Sequence, residues 1–419
     1  MKLAAASPCI EDAVFVRGHG TRAVSAMLGA MPLDRSALDR AVDELRPALV
    51  DLARRIHQSP ELRFEEHKAA RWISELVESH SVSVERQTGG LVTAFRASVG
   101  RGDGPRIALL AEYDALPEIG HACGHNLIAA GAVGAFLALA RSAAELDGTI
   151  ELIGTPAEEG GGGKVRLLEA KIFDGVDAAM MYHPFDRDLL THPALASVWL
   201  QMAFSGTPSH AAAAPWDGRS ALTACLETFR LIDSQRVHFK DGVRVHGFVT
   251  NGGQAVNIIV EHAACEFSVR ALSAEELERV RSIVERCARG AALACGVEVA
   301  IHARAGYREM NNNLTMANRF GAALQALGRR AKLDDASVGA GSTDMGDVSQ
   351  HLPAIHPYLA ICDEGESLCH EHHFAACAAS ERGFETMIVA AKALARTAAD
   401  LVEDPELLGQ AKREFGLGR

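Results

Sequence analysis

Side chains able to bind a metal ion or to move a proton occur in four separated segments of this 419-residue sequence. In chain order they are Cys123 and His125, the adjacent pair Glu158 and Glu159, His183, and the group His370, His372 and His373. Thiolate, imidazole and carboxylate groups are common protein ligands of zinc, and a carboxylate that stays free of the metal can accept a proton from water. Mixed ligands with carboxylates to spare indicate a catalytic metal site for hydrolysis.

Cys123 and His125 lie two positions apart, so their side chains converge on one ion only where the backbone turns. The alternative for Cys123 is a buried thiol without a ligand role, which is a common fate of cysteine. A closed structural zinc site is disfavoured because the sequence contains no CxxC pair. A single histidine is more often an ordinary core or surface residue, so the prediction rests on the coincidence of the four segments.

The adjacent acids Glu158 and Glu159 matter most for a mechanism. An activated water needs one carboxylate as a metal ligand and another as the proton acceptor, and neighbouring acids at a turn can divide these roles. On an ordinary surface the same pair would simply be solvated. Gly160–Gly163 follow, and their lack of side chains lets backbone or substrate come close. A phosphate-binding loop is excluded because Val165 follows Lys164 where the motif needs Ser or Thr.

Four short apolar runs predict buried strands, at 106–111, 149–155, 178–182 and 358–361. An alanine-rich run at 127–140 predicts a buried helix between the first two. This alternation predicts an α/β fold in which a mixed, mostly parallel sheet is sandwiched by helices. Ligands bind such sheets beyond the carboxyl ends of the strands, and each of the four segments lies at such an end.

Two helices are expected before the first strand. Apolar residues from 38 to 56 recur at the spacing of a helix, and Pro47 should kink this helix or mark its start. A second helix should follow Pro60, with Ala69, Ile73 and Val77 on one face.

A second pattern of strands and helices lies between the predicted strands at 178–182 and 358–361. Its predicted elements are strands at 198–204, 245–249, 265–271 and 297–303 and helices at 219–232 and 274–294. Their β-α-β-β-α-β order is that of a ferredoxin-like α+β unit. The predicted organisation is an N-terminal extension at 1–34, a catalytic metal-binding domain at 35–196 and 309–419, and an inserted domain at 197–308. Acidic and basic residues interrupt the apolar stretches of the extension, which makes it a poor signal peptide.

The sequence carries 42 basic and 54 acidic residues, which leaves a formal net charge of −12. This balance argues against nucleic acid and anionic membranes as partners, because both require a basic face. Nine cysteines without a CxxC pair are typical of a reduced, cytoplasmic protein rather than of a disulfide framework. No uninterrupted apolar run is long enough to span a membrane.

Several motifs resemble a known metallopeptidase family. They are IHQSPELRFEEHKAA at 56–70, AEYDALPEIGHACGHNLIAAGA at 111–132, GTPAEEGGGGK at 154–164, SGTPSHAAAAPWDGRSAL at 205–222, NGGQAVNIIVEHA at 251–263 and GSTDMGDVS at 341–349. The family contains aminoacylases, glutamate carboxypeptidase and p-aminobenzoyl-glutamate hydrolase, and the likeness covers roughly residues 35 to 400. Within it, the sequence is most similar to the aminobenzoyl-glutamate hydrolase subunits and the β-alanyl-lysine-type dipeptidases. The resemblance implies a zinc-peptidase-like fold.

The resemblance also implies roles for individual residues around two divalent metal ions, zinc or manganese. The implied metal ligands are Cys123 as a bridging thiolate, His125, Glu159, His183 and His370. Glu158 would be the general base, and Asp114 would orient a ligand from behind. His210 and Asn257 would contact the reacting carbonyl, and Arg270 would bind a substrate carboxylate, with a surface salt bridge as its equal alternative.

The implied activity is hydrolysis of an amide C–N bond in a dipeptide, an N-acyl amino acid or aminobenzoyl-glutamate. Family members dimerise through the inserted domain, which acts as a lid and brings His210 to the partner's site, so a homodimer is expected. Val260 and Asn126 depart from patterns common in relatives, but neither removes a ligand. The alternatives are hydrolysis of a non-peptide C–N bond, such as that of an aromatic amine, and a non-catalytic binding protein on the same fold.

Overall fold

Helices and strands alternate along the part of the chain that the computed structural model describes, residues 32–102 and 104–417. The predicted N-terminal extension lies almost entirely outside these described residues. The strands are β1 Val84–Arg86, β2 Phe95–Gly100, β3 Arg106–Ala111, β4 Thr149–Gly154, β5 Ala178–Met180, β6 His183–Phe185, β7 Ala196–Ser205, β8 Arg244–Asn251, β9 His262–Ala271, β10 Glu298–Ala305, β11 Ala354–Ile355 and β12 Tyr358–Ala360. The α-helices are α1 Arg35–Gln58, α2 His67–Ser79, α3 His125–Ala140, α4 Gly163–Glu169, α5 Ala221–Gln235, α6 Ala274–Cys295, α7 Leu314–Ala326, α8 Met345–Ser349, α9 His372–Cys377, α10 Glu381–Glu403 and α11 Pro405–Leu417.

The larger sheet has six strands in the order β1-β2-β4-β3-β5-β11. The pairs β4–β3, β3–β5 and β5–β11 are parallel, and the pairs of β2 with β1 and with β4 are antiparallel. This is the predicted mixed, mostly parallel sheet. Its central strands β3 and β4 are almost wholly buried, which explains why they stand out in the sequence as continuous apolar runs.

Helices cover both faces of this sheet. Ile107 and Leu109 of β3 belong to a core that includes buried residues of α1, α3 and α10. The alternate residues Ala108 and Leu110 pack on the opposite face, in a core with buried residues of α4 and α8. Helix α3 is buried on all sides from His125 to Leu139, so its first turn, which carries predicted ligands, is held firmly.

One local prediction for the larger domain is wrong, and one of the two alternatives for Pro47 is excluded. The run at 358–361 does not join the larger sheet but forms β12, which pairs in parallel with β6 in a separate two-stranded sheet. Pro357 follows β11 and has no N–H to donate, so the ladder ends and the chain pairs anew with β6. Pro47 does not mark the start of α1, which begins at Arg35. Asp34 is the N-cap of this helix, and its side chain accepts a hydrogen bond of 2.8 Å from the Ser36 N–H.

The smaller sheet has four antiparallel strands in the order β10-β7-β9-β8. Helices α5 and α6 pack on one face through a core that includes Phe204, Phe267 and Val284. The predicted β-α-β-β-α-β order is therefore present, and β8 is an edge strand. The boundaries of the inserted domain at 197 and 308 stay a prediction. Among the helices of the described residues, none has the length and apolar character needed to cross a membrane.

Candidate active site

The four segments singled out in the sequence meet at one end of the larger sheet. Strand β3 runs into Glu112 and Asp114, β4 is followed by Glu158 and Glu159, and β6 begins with His183. The turn before α3 and the loop before α9 complete the group. They surround a cavity of about 460 Å³, whose wall includes both glutamates, Cys123, His183 and His370.

All five predicted metal ligands fall into small sets whose donor atoms lie within 4.8 Å of one another. These sets are Cys123 with Glu159 and His370, His125 with Glu158 and Glu159, Glu112 with His125 and His183, and Cys123 with His183 and Cys369. Cys123, His125, His183 and Glu159 each belong to two sets. The sets therefore overlap, and overlapping sets of donor atoms are expected where two metal ions bind side by side.

A glycine turn brings Cys123 and His125 to the same side of the chain. Gly124 has a φ of 76°, and a Cβ at this position would lie 2.8 Å from the Pro184 side chain. Only glycine fits here without strain. The His125 Nδ1 atom lies 2.9 Å from the Asp114 carbonyl oxygen and 3.2 Å from Asp114 Oδ1, so Nδ1 carries the proton and donates it. Nε2 is the ring nitrogen left for a metal ion. Burial opposes a charge on His125, but the Glu112 and Asp114 carboxylates raise the pKa of His125 above its usual value.

His183 is oriented in the same way. Its Nδ1 donates to the Pro184 carbonyl oxygen at 2.7 Å, and its Nε2 lies 3.5 Å from Cys123 Sγ. Burial lowers the pKa of His183 to about 4. The imidazole is therefore neutral at physiological pH, which is the form that binds a metal.

Glu159 and His370 meet at the more open side of the site. His370 Nε2 lies 3.2 Å from Glu159 Oε1, and the His370 side chain is 56% exposed. The Glu159 N–H donates to Asp114 Oδ2 at 2.8 Å, so Asp114 contacts both a predicted ligand backbone and His125. The His370 backbone adopts the left-handed conformation with a φ of 73°, and its N–H donates to the Ala122 carbonyl oxygen.

Buried polar atoms that make no hydrogen bond support the fit of metal ions to this donor set. His125 Nε2, Glu112 Oε1 and Glu159 Oε1 are buried, and none has a hydrogen-bond partner among the described residues. Such atoms are costly to bury unless something binds them. Thiol, imidazole and carboxylate donors directed at a common space are the ligands that divalent transition metals prefer.

The Glu158 carboxyl group is buried beside other acids. Burial and the neighbouring Glu159 carboxylate raise the pKa of Glu158 well above its usual value. The Tyr307 hydroxyl donates to the Glu158 carbonyl oxygen and accepts from the Gly162 N–H, which holds the turn between the acids and the glycines. A carboxylate with a raised pKa is a better proton acceptor, as general-base catalysis requires.

Sequence reasoning missed a buried ion cluster behind the ligands. The Lys164 ammonium group donates to Glu112 Oε2 at 2.6 Å and to Asp344 Oδ1 at 2.7 Å, and all three side chains are at most 1% exposed. Burial opposes the charge on Lys164, but the Asp344 and Glu112 carboxylates raise the pKa of Lys164 above its usual value. The other Glu112 oxygen lies 3.4 Å from His125 Nε2. The signal available for Glu112 was its position directly after β3.

Replacing Lys164 by Met is expected to destabilise the protein by on the order of 3–5 kcal/mol, because two buried carboxylates lose their counter-ion. The measurement is the free energy of unfolding in urea, made on metal-free protein. The matched control is Lys412→Met, since Lys412 forms an exposed ion pair with Asp177 and should lose at most about 1 kcal/mol. Equal losses in the two variants would contradict this assignment.

The predicted substrate residues fall into two groups. Arg270 lies on β9 in the cavity wall, and its half-buried side chain has no hydrogen-bond or ion-pair partner among the described residues. His210 and Asn257 are exposed and do not line the cavity. They lie side by side, since the Asn257 carbonyl oxygen accepts from the Ala211 N–H. His210 Nδ1 accepts hydrogen bonds of 3.2 Å from two backbone N–H groups, so Nε2 is the ring nitrogen that remains for a ligand.

Aromatic rings form another part of the cavity wall that sequence reasoning missed. Tyr358 is surrounded by the rings of Phe185, His183, His192 and His356, with centroids 4.9 to 5.4 Å from its own. The strands β6 and β12 supply three of these rings, and of the two only β12 was predicted as a strand. Their pairing with each other was not predicted, so their shared position beside the metal ligands was not visible.

Comparisons with known proteins agree with this geometry. The model of peptidase family M20/M25/M40 matches residues 108–400. The chain is 38% identical to the Xaa-Arg dipeptidase of Mus musculus over 399 residues, which is 91% of this chain and 92% of that protein. It is 29% identical to one of the p-aminobenzoyl-glutamate hydrolase subunits of Escherichia coli (strain K12), with 90% of this chain and 94% of that protein covered.

A solved structure supports the fold. It is that of the Bacillus subtilis YXEP protein, described as a dinuclear metal-binding peptidase from the M20 family, with a TM-score of 0.68 and 23% identity over 86% of this chain and 99% of that one. The predicted resemblance, fold class and hydrolytic activity are confirmed. The chain thus belongs to peptidase family M20/M25/M40, and it is a metal-dependent hydrolase that acts on amide or peptide C–N bonds of small substrates.

Proposed function

We propose that this enzyme uses two divalent ions, zinc or manganese, to hydrolyse an amide bond in a small amino-acid derivative that carries a carboxylate. Dipeptides, N-acyl amino acids and aminobenzoyl-glutamate are such compounds. The observation that carries the proposal is the position of unpaired Arg270 in the same cavity wall as Cys123, Glu159, His183 and His370. A cavity of about 460 Å³ has room for a small molecule of this kind.

Cys123, His125, Glu159, His183 and His370 would hold the two ions. When bound, the ions supply a Lewis acid for the substrate carbonyl and lower the pKa of an attacking water. Glu158 takes the proton of that water and passes it to the leaving amine. Asp114 acts through others, because its carboxylate holds the His125 ring and the Glu159 backbone in place.

Two further residues are proposed to act from a second copy of the chain. His210 and Asn257 are exposed, Asn257 lies in the segment between β8 and β9, and neither residue lines the cavity of its own chain. In a homodimer formed through the inserted domain, they would complete the partner's site, where His210 stabilises the oxyanion. A cytoplasmic location is proposed because every cysteine of the described residues is a free thiol.

A panel of substrates tests the reaction class. Metal-loaded enzyme should hydrolyse at least one member of a set containing dipeptides, N-acyl amino acids and aminobenzoyl-glutamate. A set of N-substituted aromatic amines without an amide bond serves as the comparison. Turnover of the second set alone would contradict the proposal and support the alternative C–N chemistry.

Arg270→Gln is expected to raise KM for a carboxylate substrate by about 10- to 100-fold with little change in kcat, since a charged hydrogen bond is worth roughly 1.5–3 kcal/mol. The same variant should not affect hydrolysis of the corresponding substrate amide. Steady-state kinetics on this pair of compounds makes the test. Arg244→Gln is the matched control, because Arg244 lies opposite Arg270 on β8 and is exposed. Equal losses for both compounds would refute carboxylate recognition by Arg270.

A further inference from the structure

Cys369 lies beside the predicted ligands, and the proposed function gives its thiol no role. The Sγ atoms of Cys123 and Cys369 and a ring nitrogen of His183 all lie within 4.8 Å of one another. Cys369 is half-buried in the cavity wall and directly precedes His370. The loop that carries one predicted ligand into the site therefore carries a second donor with it.

The separation of two atoms in this set matches a shared zinc ion. Cys123 Sγ and His183 Nε2 are 3.5 Å apart. A tetrahedral ion with a Zn–S distance of about 2.3 Å and a Zn–N distance of about 2.0 Å holds such ligands roughly 3.5 Å apart. The Nδ1–H group of His183 donates to Pro184, so the lone pair of Nε2 faces the two thiols.

Apart from the neighbouring Cys123 thiol, the Cys369 thiol has no strong partner among the described residues. Its contact to the Pro184 carbonyl oxygen is 4.0 Å long, which is at the far limit for a sulfur donor. Other thiols of the chain are placed differently. Cys295, for example, is also half-buried, but it ends α6 and belongs to none of the ligand sets.

We propose that Cys369 is a further metal ligand, so that one ion is held by two thiolates and an imidazole, from Cys123, Cys369 and His183. This inference rests on the proposed two-metal function and specifies one of its positions. The remaining proposed ligands, His125, Glu159 and His370, supply imidazole and carboxylate donors to the other position. The two positions therefore differ in their donor atoms: the position with two thiolates is the soft one, and the position with carboxylate is the hard one.

The composition of the soft position selects its metal. Thiolate ligands favour zinc over manganese, whereas carboxylates suit manganese. Zinc is therefore expected at the Cys123–Cys369–His183 position even when manganese is in excess. Manganese is then accommodated only at the position with imidazole and carboxylate donors.

Cobalt substitution tests this ligand directly. The protein is prepared with a phosphine reductant, which keeps both thiols reduced, and is loaded with Co²⁺ to saturation. Cys369→Ser should lose roughly half of the sulfur-to-cobalt charge-transfer absorption, since one of two thiolates is removed. Cys295→Ser is the matched control and should leave the absorption unchanged. Full absorption in Cys369→Ser, with loss of the whole band in Cys123→Ser, would overturn the proposal.

X-ray absorption of the unmodified protein gives a second measurement that needs no variant. With one equivalent of zinc bound, the proposal predicts about two sulfur neighbours at about 2.3 Å from each zinc ion. A value of about one would overturn the role of Cys369 but leave the two-metal function intact. If neither cobalt nor zinc binds at all, the proposed function itself fails, and the two failures are thus distinguishable.

Discussion

Replacing Glu158 by Gln is expected to lower kcat by about 10²- to 10⁴-fold, the usual contribution of a general base. Glutamine keeps the shape of the side chain but cannot accept a proton. The metal content of the Glu158→Gln variant should stay close to that of the unaltered enzyme, because all of the proposed ligands remain. The measurements are steady-state kinetics and elemental analysis of the purified protein.

Glu159→Gln should behave differently, although the two residues are neighbours. Glu159 Oε1 is buried without a hydrogen-bond partner and lies 3.2 Å from His370 Nε2, where a shared ion would bind both. An amide oxygen is a poorer ligand than a carboxylate, so this variant should lose metal as well as activity. Each variant is the control for the other.

The carboxylates of Glu158 and Glu159 both lie within 4.8 Å of a His125 nitrogen, so the metal content of the two variants distinguishes base from ligand. Metal loss in Glu158→Gln with metal retained in Glu159→Gln would reverse the assignment of base and ligand. If both variants retained metal, Glu159 would not be a metal ligand.

Mixing two inactive variants is expected to restore activity. If each site combines Glu158 of one chain with His210 of the other, Glu158→Gln and His210→Ala homodimers should both be nearly inactive. After exchange of subunits, half of the dimers are hybrids, and each hybrid has one site with both defects and one with neither. In the proposed two-fold symmetric dimer, activity should then recover to roughly a quarter of the unaltered value.

The control for this experiment is a mixture of Glu158→Gln with a chain that carries both substitutions. No hybrid of that pair contains an intact site, so mixing should restore nothing. Native mass spectrometry establishes that subunits have exchanged. With exchange established, a lack of recovery in the first mixture would show that His210 acts within its own chain or not at all.

The parts of the fold that were predictable are those with the strongest burial. Strands β3 and β4 and helix α3 lie at the centre of the molecule, so their sequences are nearly continuous apolar runs. The antiparallel strands β1 and β2 were missed because half-buried strands with mixed sequences carry a weak signal. The pairing of β12 with β6 depends on an interruption at Pro357 that periodicity does not reveal.

Some residues of the candidate site could likewise be predicted from the sequence, and others could not. Cys123 and His125 were visible because a short spacing and a turn place them together in any fold. The contact of Lys164 with Asp344 joins residues 180 positions apart, so only the folded chain brings them together. The placement of Cys369 beside Cys123 is likewise a consequence of the loop before α9, whose course has no signature in the sequence.

Every proposed step of the reaction depends on bound metal, so removal of the metal is the decisive measurement. The protein is stripped with a chelator, its folded state is established by circular dichroism, and hydrolysis is followed as zinc or manganese is added back. We expect no turnover in the metal-free protein and recovery that is complete near two equivalents of metal per chain, as a binuclear site requires. Undiminished turnover in folded protein without metal would contradict the proposed mechanism.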